Sequence, residues 1–134
     1  MRRRAFLALL AAGGGALATA GCSTVADARA DRGSGVIVSY AAPFDKVWAA
    51  LPAVLGDLGL KVGADNMAQG YMVVESGASA FSWGERVAIF VERIGTRGHT
   101  RVEVVSKAAL GINITATDWA SRIHEKLGQR FKRL

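Results

Sequence analysis

The chain has 134 residues, a formal net charge of +6 and a single cysteine, Cys22. Three of these positive charges belong to Arg2, Arg3 and Arg4, and the remaining net positive charge lies after residue 121. The segment between them, residues 5–121, is close to neutral. This distribution excludes a nucleic-acid-binding surface. A lone cysteine also excludes an internal disulfide and a cysteine-based metal site.

The first 21 residues have the layout of a secretory signal. A basic start is followed by an apolar stretch, residues 5–20, which is shorter than the roughly twenty residues that span a bilayer as a helix. A match to the twin-arginine export pattern R-R-x-F-L is formed by Arg3, Arg4, Phe6 and Leu7. The same arginines fit the start of a general secretion signal, so both export routes stay open.

Cys22 and the three residues before it, Thr19, Ala20 and Gly21, resemble a lipobox, although Thr19 stands where Leu is typical. In bacterial lipoproteins the signal is cut before the cysteine, whose thiol then carries diacylglycerol and whose amine can be acylated, for example with palmitate. Ser23 follows, where Asp would resemble an inner-membrane retention signal, and this favours the outer membrane. The alternative is ordinary signal cleavage after Ala20, which leaves Cys22 near a free N-terminus.

The mature chain divides into a tether and one folded domain. Residues 22–35 lack an apolar period and predict a lipidated N-terminus with a flexible tether. The domain covers residues 36–134 and begins with a short strand, 36–40. A helix follows from Pro43, with Gly59 as its C-terminal cap, and Pro52 predicts a kink in it. Its apolar stripe consists of Val47, Trp48, Leu51, Val54, Leu55 and Leu58.

Four strands follow this helix. Weaker strands are predicted at 60–64 and 71–76, and the clearest hairpin joins 86–93 to 100–107. In that hairpin, apolar side chains alternate with mostly charged ones, and the sequence therefore predicts a sheet covered on one face only.

A final helix over about residues 117–134 completes the domain. Thr115 or Thr117 is predicted as its N-cap. Its apolar side is formed by Trp119, Ala120, Ile123, Leu127, Phe131 and Leu134. The element order β-α-β-β-β-β-α predicts an α+β fold, with an antiparallel sheet of about five strands covered on one face by two helices in a helix-grip-like layout.

Catalytic and metal-binding patterns are missing from the sequence. It contains neither a nucleophile elbow nor a phosphate-binding glycine motif, and no acidic pair stands out in an apolar setting. His99 and His124 have no partners at ligand spacing and are interpreted as surface histidines. We therefore expect neither enzyme activity nor a cofactor or metal.

Two groups of residues are candidates for contacts with other molecules. Phe81 and Trp83 in a loop and Phe90 on the outer face of the sheet are candidate partner contacts. The alternative is that the loop aromatics fold back onto the core. Arg130, Lys132 and Arg133 are candidates for contact with anionic lipid, or else a solvated helix end.

Three segments, 40–51, 58–62 and 113–119, resemble a family of small uncharacterised bacterial lipoproteins. The resemblance extends from residue 36 to the C-terminus and implies a cell-envelope domain without assigned catalysis. Pro52 departs from the uninterrupted first helix expected in that family. The layout is also similar to the helix-grip shape of a lipoprotein in the outer-membrane β-barrel assembly machine, an analogy that does not transfer function.

The sequence thus predicts an envelope lipoprotein, anchored in the outer membrane and facing the periplasm. We expect it to bind an envelope protein or a second copy of itself without catalysis. The alternative hypothesis is a carrier that holds a small apolar ligand in a cavity between the helices and the sheet.

Overall fold

A computed structural model describes residues 32–76, 86–106 and 117–134. In chain order, the elements in these residues are β1 (Val36–Tyr40), α1 (Phe44–Asp57), β2 (Leu60–Asn66), β3 (Tyr71–Ser76), β4 (Arg86–Ile94), β5 (His99–Val105) and α2 (Trp119–Arg130).

The strands form one open antiparallel sheet in the order β1-β5-β4-β3-β2. Strands β2 to β5 follow each other as neighbours, whereas β1 pairs with β5, the last strand along the chain. Both helices pack on the same face, which we call the inner face. The predicted α+β fold and the predicted order of its elements are confirmed.

Helix α1 buries the apolar stripe that its spacing predicts. Val47, Leu51 and Leu55 are fully buried, and Asp45 lies in the first turn, where a negative charge is favoured by the helix dipole. Pro43 is the N-cap residue. Pro52 removes one backbone donor, but its ring is exposed and the element continues through it from Phe44 to Asp57.

Helix α2 is shorter than predicted at both ends. Asp118, rather than Thr115 or Thr117, is its N-cap: the carboxylate accepts hydrogen bonds from the backbone N–H of Ser121 at 3.1 Å and from its hydroxyl at 2.7 Å. These bonds lower the pKa of Asp118. The helix ends at Arg130 because Phe131 takes an extended conformation.

After α2 the chain pairs with the edge of β1. The backbone N–H of Ala41 donates to the carbonyl of Lys132 at 2.8 Å, and that of Leu134 donates to the carbonyl of Ser39 at 3.0 Å. Leu134 therefore leaves the apolar stripe predicted for the helix and is 61% exposed. Three residues of extended chain thus protect part of an otherwise open edge.

The inner face of the sheet and the two helices enclose one hydrophobic core. Its members come from every strand and both helices, with Tyr40, Leu51, Ile89, Ile123 and Leu127 among the fully buried side chains. Thr100 is also buried there, and its hydroxyl donates to the carbonyl of Ala42 at 2.7 Å. Every buried side-chain polar atom in the described residues has a hydrogen-bond partner.

Gly70, in the turn between β2 and β3, is a position that requires glycine. Its φ is +71°, and a Cβ there would overlap the carbonyl oxygen of Val91. The contact is close because the N–H of Val91 donates to the carbonyl of Gly70 at 2.7 Å. Gly95 also has a positive φ, of +63°, but nothing surrounds its missing Cβ.

We expect Gly70→Ala to lower the free energy of unfolding by about 3 kcal/mol and the control Gly95→Ala by only about 1 kcal/mol. Both substitutions carry the cost of a left-handed backbone, and only the first adds a steric clash with β4. Urea unfolding monitored by circular dichroism measures both. Equal losses would show that the close approach to Val91 contributes nothing.

Candidate interaction surface on the outer face of the sheet

The outer face, opposite the helices, carries a row of side chains that crosses four strands. The register places Glu103 between Ile37 and Phe90, and Phe90 between Glu103 and Tyr71. These residues alternate with core residues along their strands, so their side chains point away from the helices.

Phe90 is the centre of a second, smaller apolar cluster in this row. Ala88, Phe90 and Val105 are 6%, 3% and 4% exposed, and the half-buried Tyr71 packs against them. The sequence predicted an apolar surface patch on a face that nothing covers, and this description is corrected: the patch is a buried cluster. A contact between Phe90 and a partner stays a prediction.

The four residues before β1 lie over this cluster, and we call residues 32–35 the strap. The backbone N–H groups of Gly33 and Gly35 donate to the same carboxylate oxygen, Oε2 of Glu103, at 2.6 and 2.9 Å. The guanidinium carbon of Arg32 lies 5.3 Å from the centre of the Phe90 ring. The last four residues of the predicted tether, 32–35, thus contact the domain.

The burial of Glu103 on this face is a feature that the sequence did not predict. Strand alternation predicts it as a solvated charge, yet it is only 5% exposed. Two backbone donors satisfy its carboxylate, which is the condition under which a charge tolerates burial. The glycine-rich segment before β1 could have indicated a buried acceptor, because glycine allows backbone N–H groups to come close to one.

Arginines on the outer face form ion pairs with neighbouring carboxylates. Glu92 accepts a hydrogen bond from Arg101 and lies 3.7 Å from a guanidinium nitrogen of Arg32, and Glu75 pairs with Arg86 at 3.1 Å. All of these side chains are at least 42% exposed, and each pair is therefore worth no more than about 1 kcal/mol. Their contribution is to orient side chains rather than to stabilise the fold.

A groove of about 410 Å³ opens on the outer face beside the strap, lined by Arg32, Gln69, Tyr71 and Phe90. A guanidinium, an amide and two aromatic rings are suited to hydrogen bonding and stacking with a partner side chain. Among the described residues, this lining combines a charge, hydrogen-bonding groups and aromatic surface, which are features of protein recognition surfaces.

His124 is buried, not on the surface as predicted. It is 2% exposed, its Nδ1 lies 2.7 Å from the hydroxyl of Tyr40, and its Nε2 lies 2.9 Å from the carbonyl oxygen of Val36. A carbonyl only accepts, so Nε2 carries a proton and donates, while Nδ1 of the neutral ring accepts from the tyrosine. The ring thus joins α2 to both ends of β1.

Burial lowers the pKa of His124, and the nearby charge of Arg133 lowers it further against the opposing effect of the bond to Val36. Burial also raises the pKa of Tyr40 to about 12, against the effect of Arg133. Both groups are therefore neutral in the folded protein around neutral pH.

The structure does not bring the predicted contact residues together. Arg130, Lys132 and Arg133 are exposed at the end of α2 and in the chain after it, on the side of the helices and the β1 edge, whereas Phe90 lies on the outer face. Outside the described residues lie Arg3, Arg4, Phe6, Leu7, Thr19, Ala20, Gly21, Cys22, Phe81 and Trp83.

Within residues 32–76, 86–106 and 117–134, no group of three or more His, Cys, Asp or Glu side chains could hold a metal ion. In the same ranges, no helix combines the length and the apolar character that crossing a membrane requires.

We expect acid to destabilise the protein through His124. The unfolded chain binds a proton near pH 6.5, whereas the folded chain binds it only at a lower pH, so stability falls as the pH drops below about 6.5. In urea unfolding, the free energy of unfolding of the wild type should fall more between pH 7.5 and 5.5 than that of His124→Gln does. The same fall in both proteins would contradict the assignment.

Comparison with known families finds a similarity over part of the chain. Residues 25–89 match the family described as "Outer membrane protein assembly factor BamC-like C-terminal domain". The match covers slightly less than half of the chain and includes the strap, β1, α1, β2, β3 and the start of β4. No curated protein matches this sequence. The chain is thus similar, over residues 25–89, to a domain of an outer membrane assembly factor.

Proposed function

We propose that this protein is a lipid-anchored domain of the bacterial cell envelope that binds other envelope proteins during assembly of the outer membrane. The observation that carries the proposal is the similarity of residues 25–89 to a domain described as an outer membrane protein assembly factor. A non-catalytic role agrees with that description.

The outer face of the sheet is the surface on which we place partner binding. Its groove combines Tyr71 and Phe90 with Arg32, and aromatic and arginine side chains are enriched where proteins bind each other. Gln69 is exposed at the same groove and supplies an amide for hydrogen bonding.

We propose that the protein is exported by either of the two routes and is then anchored by diacylglycerol on Cys22. The anchor holds it in the outer membrane, where it faces the periplasm. Two or more acyl chains give stable membrane attachment, because each buried methylene contributes about 0.8 kcal/mol. Nine residues separate Cys22 from the strap, and they span at most about 30 Å. The domain therefore stays close to the bilayer surface.

We expect cells grown with an alkyne-labelled fatty acid to incorporate the label into the wild-type protein and not into Cys22→Ala. The wild type should remain with the membranes, and the variant should be released by osmotic shock. Ser23→Ala, next to the anchor, controls for effects of sequence change at the cleavage site and should still be labelled. An unlabelled wild type that is released like the variant would refute the anchor.

We expect a photo-crosslinking amino acid at Gln69 to capture an outer membrane assembly protein in intact cells, identified by mass spectrometry. The same probe at Asp57, exposed at the end of α1 on the helical side, is the control and should capture it far less. A product of twice the protein's own mass would instead reveal a second copy as the partner. Equal capture at both positions would contradict binding through the outer face.

The carrier of an apolar ligand remains a second hypothesis. It needs space between the helices and the sheet, where the described apolar side chains form one continuous cluster. Native mass spectrometry of protein extracted from cells would show the bound mass of such a ligand.

A further inference from the structure

The strap is attached to the outer face of the sheet by specific contacts. Neither partner binding nor lipid anchoring requires these contacts. One oxygen of Glu103 receives both the Gly33 and the Gly35 N–H groups, and the carboxylate is almost completely buried. Hydrogen bonds to an ionised acceptor are about twice as strong as neutral ones, and they hold the backbone rather than a mobile side chain.

The position of Gly35 against the sheet leaves no space for a side chain. A Cβ at this residue would overlap the carbonyl oxygen of Val104 and the side chain of Val105. The backbone of the strap therefore lies directly on β5, and the fit depends on glycine.

Arg32 provides the third point of attachment, one strand further across the sheet. Its guanidinium lies over Phe90 and near Glu92, both on β4, whereas Glu103 is on β5. Adjacent strands are about 4.8 Å apart, so the strap leads the chain roughly 10 Å from β1 toward the middle of the outer face.

We propose that the strap is a clamp that fixes where the N-terminal tether leaves the domain, and so turns the outer face toward the membrane and the two helices away from it. The clamp is a property of the domain alone, and its effect on orientation rests on the proposed anchor at Cys22. Without the clamp, the tether would leave at Gly35 beside the β1 edge, from which both faces are equally close.

The lengths favour one orientation. The nine residues between Cys22 and the strap span at most about 30 Å. A sheet with one layer of helices is about 20 Å thick. A path from the middle of the outer face around the sheet edge to the helical side adds roughly 10 Å to this thickness and takes up the whole length of the tether, so the helical side remains directed toward the periplasm.

The clamp is tested on the purified full chain by the rate of trypsin cleavage after Arg32, with the product beginning at Gly33 identified by mass. Glu103→Leu keeps the volume but removes the acceptor, and Gly35→Ala pushes the backbone off β5. Each should raise the cleavage rate at least about tenfold, and Glu103→Gln, which retains one neutral acceptor oxygen, should give a smaller increase.

Two matched controls accompany these variants. Glu75→Gln changes a carboxylate on the same face that pairs with Arg86 and not with the strap, and Gly56→Ala adds a methyl group where nothing lies within contact distance. Both should retain the wild-type rate. Thermal unfolding identifies any variant that fails to fold. If Glu103→Leu fails to fold, the smaller increase in cleavage rate expected for Glu103→Gln decides the outcome. Cleavage of the wild type as fast as of Glu103→Leu would overturn the clamp.

Orientation is measured on protein in vesicles that contain spin-labelled lipid, with a fluorophore at Gln69 on the outer face or at Gln129 on α2. Wild-type protein should be quenched more strongly at Gln69, and Glu103→Leu should abolish the difference. Equal quenching of the wild type at both positions would overturn the orientation. If Cys22 carries no lipid, the protein does not attach to the vesicles, while the trypsin result still decides the clamp; the two failures are therefore distinguishable.

Discussion

The buried contact between His124 and Tyr40 holds the first strand and the last helix of the domain together. Strand β1 pairs with β5, and their partner residues Val36 and Val104 lie 68 positions apart in the sequence. Closing such a loop costs entropy that two strands alone recover poorly. The ring of His124 compensates for this by binding the hydroxyl of Tyr40 and the carbonyl of Val36 from helix α2.

The two faces of the sheet are stabilised by different interactions. The inner face is held by non-directional burial of aliphatic and aromatic side chains, which tolerates changes of similar volume. The outer face combines the small buried apolar cluster around Phe90 with directional bonds, including those from the strap to the buried carboxylate of Glu103. Changes at Glu103 therefore alter how the strap is held against the sheet.

The sequence predicted the elements and missed the contacts between distant residues. Apolar periods of 3.6 and 2 identify α1 and the hairpin of β4 and β5 because these patterns are local. His124 and Glu103 were interpreted as solvated because each is polar in an amphipathic segment. The partners that allow their burial lie 84 and about 70 positions away, which a local pattern does not report. The N-cap of α2 lies one residue after the predicted Thr117 for a different reason: Asp118 and Thr117 are both good capping residues, and the hydroxyl of Ser121 favours the first.

The short extended segment after α2 has a practical consequence for protein fusions. It runs antiparallel to β1, with Arg133 opposite Tyr40, so amino acids appended beyond Leu134 would continue toward Val38 and Val36. There they would meet Val36 and Ile37, which are 40% and 46% exposed. An affinity tag rich in β-branched residues at this terminus would add a sixth strand to the sheet, whereas a proline placed directly after Leu134 would prevent it.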